Sequence, residues 1–217
     1  MKRTLKGKEG IVKSKQQKAL ADLAYIKNIL EDSERVFVDH GLENILWGTM
    51  VAFAQMITYF LVRDDMGGPA VPMTVVIAIW AVTLGVLWTL IVLICRNRFN
   101  RTRVKTFAGR MFLSIWTGTG IAIAISIFVI LFSHVIDPYL IDPIVALFLG
   151  VAYYCNSMIL SGRWMKILAF GWWAGAIPMF LYPSDKCFII FSAMIVVLAI
   201  IPGIIFYRKH RVAEKSE

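Results

Sequence analysis

Six long apolar runs, separated by short polar segments, dominate the chain: 44–62, 72–95, 112–133, 140–160, 167–182 and 187–207. A helix rises about 1.5 Å per residue, so a bilayer core of about 30 Å takes about 20 such residues. Each run meets that length or comes near it. Lipid offers no partner for a bare N–H or C=O, so each run is expected to close its own backbone hydrogen bonds as a helix. The pattern therefore predicts an all-α integral membrane bundle of six transmembrane helices spanning 44–207.

Before the first run the pattern changes. Leu20, Leu23, Ile26 and Leu30 recur at helical spacing, with Asp22, Lys27, Glu31 and Glu34 between them. An amphipathic helix over 16–40 is expected, too polar to span, lying along the inner membrane face, on the bundle or against a partner. Residues 1–15 carry six Lys or Arg against Glu9 alone and read as a disordered basic arm. Residues 208–217 form a short basic tail. The first 42 residues are too polar for a cleavable leader, so the first run is expected to be an uncleaved span.

Charge sets the expected orientation. Of 23 Lys and Arg, 21 fall before the first run, in the second and fourth connections, or after the last run. The first, third and fifth connections hold only Arg63 and Lys186. Cations stay on the cytoplasmic side, so both termini are expected there, in the inner (cell) membrane. The second connection carries Arg96, Arg98, Arg101, Arg103, Lys105 and Arg110 without an acid. It is placed to meet anionic lipid headgroups. The net charge of +9 is thus a topological signal, and nucleic acid is not an expected partner.

Within lipid, helices approach through small residues. Gly48 with Ala52, Gly118 with Ala122, Gly120 with Ala124, and Gly171 with Gly175 supply that spacing. The third run is small on more than one face and is expected to be the most enclosed. Pro178 and Pro202 predict kinks in the last two runs. The seven tryptophans lie mostly near run ends, as anchors do; Trp80 is the exception. Cys95, Cys155 and Cys187 are expected to be unpaired thiols.

Ionisable residues are scarce inside the runs; Asp142 stands alone, two residues from an end. Scarcity of buried charge argues against a proton- or sodium-coupled pump. Polar residues nevertheless reach similar depths: Thr89, Ser114, Thr117, Thr119, Asn156 and Ser157 toward the cytoplasmic half, Gln55 and Thr83 near the middle. They either form a polar layer lining a pocket open to the cytoplasm or hydrogen-bond between helices and to their own backbones. On the outer rim stand Asp64, Asp65, Asp137, Asp142 and Asp185, with His134 near Asp137. Acids and an imidazole of this kind suit a divalent cation, but they are scattered over three connections and no metal or cofactor is assigned.

No H-E-x-x-H, G-x-S-x-G or Gly-rich phosphate loop occurs. The expected function is a non-enzymatic sensor, regulatory or accessory subunit coupling the bundle to a cytoplasmic partner through residues 16–38. A transporter or channel for a small neutral or anionic solute, working as a homo-oligomer, is the alternative; a lipid-modifying membrane enzyme is a lesser one.

One stretch carries a resemblance. Ile26 to Phe37 (I-K-N-I-L-E-D-S-E-R-V-F), followed by Gly41-Leu42 and Ile45-Leu46-Trp47-Gly48, resembles the segment preceding the first span in an uncharacterised family of bacterial six-span membrane proteins. The run Pro143 to Ser161 leading to Arg163 is also similar. Here Glu34 stands where that family tends to have serine, and Val36 separates Arg35 from Phe37. The resemblance implies six spans and a neighbouring cytoplasmic regulator, and assigns no site.

Overall fold

The computed structural model describes residues 41–63, 72–98, 107–133, 137–159 and 163–205, with isolated positions 17, 18, 20, 23 and 208. The predicted arm, the body of the predicted amphipathic helix, the tail, and the side chains of Arg96, Arg98, Arg101, Arg103 and Lys105 lie outside it. Arg110, in the first turns of the third helix, is exposed.

Six helices account for nearly all the described chain: α1 (Gly41–Val62), α2 (Met73–Arg98), α3 (Phe107–Ser133), α4 (Ile141–Ile159), α5 (Arg163–Leu181) and α6 (Lys186–Ile195). A 3₁₀ turn, Pro138–Leu140, leads into α4, and a π-helical turn, Val196–Ile200, prolongs α6. Five helical segments are long and apolar enough to cross a membrane: Asn44–Val62, Gly109–Ser133, Pro138–Met158, Trp164–Leu181 and Lys186–Ile205. The chain thus has the make-up of a multi-pass membrane protein. α2 is helical throughout, and Thr74–Leu90 is apolar.

The core is built by α1, α4, α5 and α6. α4 and α5 form a close antiparallel pair, α6 packs on α1, and α6 also touches α4 and α5. α2 leans on α1, and α3 on α4. An aromatic series crosses four helices: Phe112 and Trp116 of α3, Tyr153 of α4, Trp172 of α5 and Phe191 of α6, with consecutive ring centres 5.7–6.2 Å apart. Edge-on and tilted contacts at this range suit the ring quadrupoles. Trp172 is therefore a core residue rather than an anchor, whereas Trp47 and Trp88 stay exposed.

Small residues decide where backbones approach. A Cβ added to Gly48 would lie 2.7 Å from Ile200, and one added to Gly171 would lie 2.8 Å from Leu198. At Gly175 it would strike Met194. All three glycines receive side chains from α6 or its π turn. The turn has a local cause. Pro202 has no N–H for the Leu198 carbonyl and its ring crowds that oxygen, and the helix widens just ahead of it. That widening presents Leu198 and Ile200 to the two glycines. α5, by contrast, continues as regular helix through Pro178.

The third run departs from expectation. Only Phe112 and Ile130 of Gly109–Ser133 are buried, a far smaller share than in the other four spans. Added Cβ atoms at Gly118 or Gly120 meet nothing within 4 Å. Small residues permit close approach but do not compel it, because lipid tails solvate an apolar helix as well as another helix does. Gly118→Ala and Gly120→Ala are accordingly expected to leave thermal stability in detergent unchanged, or to raise it by up to about 1 kcal/mol through helix propensity. A melting curve in micelles checks this; a clear loss at either position would mean that a partner covers α3.

Candidate functional site

The most heavily buried polar junction in the described residues joins α1 to α4. Gln55 and Asp142 are 2% and 4% exposed, and Gln55 Nε2 donates to Asp142 Oδ1 at 2.7 Å. Gln55 lies just past the middle of α1. Asp142 lies in the first turn of α4, where the helix dipole favours negative charge. The preceding turn holds α4 in place: Asp137 caps Pro138–Leu140 by accepting from the Tyr139 N–H at 2.9 Å. Gln55 Oε1 and Asp142 Oδ2 are buried and have no hydrogen-bond partner among the described residues. Sequence placed Gln55 in a mid-membrane layer and Asp142 on the outer rim. The structure instead brings them together, since Asp142 faces inward from the helix end.

Neighbouring polar groups on α1 tie further helices to it. Thr58, one turn beyond Gln55, donates to the Ala54 carbonyl at 2.9 Å and accepts from Trp80 Nε1 of α2 at 3.2 Å. The tryptophan that fits no anchoring role thus fastens α2. One turn before Gln55, Ser192 of α6 donates to the Ala52 carbonyl at 3.2 Å. Thr58, Trp80 and Ser192 were not singled out by sequence as a site. The spacing of Gln55 and Thr58 on one face of α1 was the available signal.

The expected polar layer does not assemble in one chain. Thr89 donates to the Gly85 carbonyl, Ser114 to Arg110 and Thr117 to Leu113, and all three side chains are exposed. Such back-bonding satisfies a hydroxyl within its own helix, so no neighbour is needed. Thr89 is on α2 and the other two are on α3, helices that lean on different members of the core. Thr119 is half-buried. Thr83 lies in a shallow, largely apolar groove of about 520 Å³ between α1 and α2, beside Ile57, Ala78 and Ile79.

Asn156 and Ser157 are buried as a pair on α4. Ser157 bonds the Tyr154 carbonyl, whereas both polar atoms of the fully buried Asn156 amide are without a partner among the described residues. The indole N–H groups of Trp116 and Trp172, which flank Tyr153 one turn away, are likewise unpartnered. Sequence missed one further position. A Cβ at Gly150 would run into the indole of Trp173, whose Nε1 donates to the Leu147 carbonyl at 3.3 Å.

Among the described residues, no three His, Cys, Asp or Glu side chains gather as a metal centre. Asp64, Asp65 and His134 lie outside the description. Asp137, Asp142 and Asp185 all come within electrostatic reach of the Cys187 sulfur, so the rim acids that are described draw toward one end of the bundle. Cys155 and Cys187 are free thiols. No family model matches the chain, and no curated protein or solved structure is found to be similar to it.

Proposed function

We propose that the chain is a six-span protein of the inner (cell) membrane, with both termini cytoplasmic. In this reading it is a non-enzymatic sensor, regulatory or accessory subunit, and residues 16–38 carry the contact with a cytoplasmic partner. The observation that carries this reading is the use made of membrane-level polar groups. Ser192, Trp80 and Trp173 hold helix to helix, and Thr89, Ser114 and Thr117 serve their own backbones. With these polar residues employed as joints, the basic stretch Arg96 to Arg110 and the amphipathic segment are the parts of the sequence suited to cytoplasmic contact. The resemblance of residues 26–48 to a family with neighbouring cytoplasmic regulators supports the same reading.

The test is capture of partners in mild detergent by the full chain and by a form lacking residues 1–40. The full chain is expected to retain a specific cytoplasmic protein that the truncated form loses. An identical set of copurifying proteins, together with solute uptake in proteoliposomes, would replace this reading with transport. Reporter fusions are expected to place 99–106 and 208–217 on the same side of the membrane.

A further inference from the structure

We infer that Gln55 and Asp142 form the centre of a binding site for a monovalent metal cation, at the end of the bundle where α1 finishes and α4 begins. Gln55 Nε2 donates to Asp142 Oδ1 at 2.7 Å, which engages one of the two carboxyl oxygens. A carboxylate buried to this degree is costly unless paired, and one amide N–H satisfies only a fraction of its acceptor capacity. Beside it, the amide presents a second acceptor rather than a donor. The two planar groups thus leave two buried oxygens, Gln55 Oε1 and Asp142 Oδ2, without a partner among the described residues and next to the bond that joins them.

Acceptors of this kind are complemented by a hard cation, which takes oxygen ligands. The charge count selects its valence. One carboxylate and one neutral amide neutralise a single positive charge, whereas a divalent ion would leave a buried excess. This inference rests on the geometry of one junction and does not depend on a cytoplasmic partner.

Heat denaturation of the full-length protein in detergent provides the test, in sodium or potassium chloride against N-methylglucamine chloride at equal ionic strength. Saturating sodium or potassium is expected to raise the midpoint by about 5 °C. Asp142→Asn and Gln55→Leu are expected to abolish the difference. Trp80, hydrogen-bonded one turn away from Gln55, gives a fluorescence signal for the same titration. Should the variants fail to fold, infrared difference spectra of the unaltered protein decide the matter: a carboxylate stretch that shifts on exchange of N-methylglucamine for sodium or potassium supports the site. Equal midpoints in all salts would overturn the proposal. So would a protonated-carboxyl band that replaces the carboxylate stretch, or a response to calcium alone.

Discussion

Gln55→Leu is expected to destabilise the purified protein by about 3 kcal/mol, one of the larger losses available from a single substitution. Interhelical hydrogen bonds between side chains in membrane proteins average about 0.6 kcal/mol, because the unfolded chain in lipid finds other partners. The excess arises because removing Gln55 leaves a carboxylate, 4% exposed, without its donor. The order of effects follows from that cause. Asp142→Asn removes the charge and keeps an amide able to pair with Gln55, so it is expected to cost less than Gln55→Leu. The double variant Gln55→Leu/Asp142→Leu leaves no polar group to satisfy and is expected to recover most of the loss. Denaturant titration of all three variants in micelles measures the coupling. Additive losses, with the double variant the least stable, would show that the junction contributes through packing alone.

Gly150→Ala is the second large effect, expected at about 2 kcal/mol, in the range for overpacking a well-filled interior. The opposing atoms belong to Trp173, a rigid ring that cannot easily retreat. Its Nε1 is engaged by the Leu147 carbonyl, and its faces and edge meet Tyr154 and Phe170 at ring-centre distances of 5.8 and 5.5 Å. Gly175→Ala is the informative contrast. There the opposing group is Met194, an unbranched side chain that swings aside at little cost. Its loss is expected to stay below about 1 kcal/mol. Midpoints of thermal unfolding in detergent separate the two, and equal losses at both positions would contradict the account of α4–α5 packing.

These contrasts mark how far the chain can be read without its fold. Gly118 and Gly171 sit in similar small-residue patterns, yet Gly171 accepts Leu198 from the π turn that prolongs α6 and Gly118 faces open space. The difference lies in which helix happens to be adjacent, and a periodic motif carries no address for its partner. The Leu198 contact itself depends on the π turn before Pro202, which re-aims two side chains. Proline signalled an irregularity there, but its form emerged only in three dimensions.

What the chain determined by itself is its all-helical make-up and the apolar character of five membrane-length helices. Backbone hydrogen bonds inside a span are local, and hydropathy is a property of consecutive residues, so both can be read along the line. Charge distribution supplies an expected orientation in the same one-dimensional way. Only the tertiary structure decided which polar residues meet. Gln55 and Asp142 are 87 positions apart, and their depths alone placed them in separate groups. It also set α3 at the periphery, because lipid solvates an apolar helix as readily as a neighbouring helix does, so residue pattern alone leaves the choice of neighbour open.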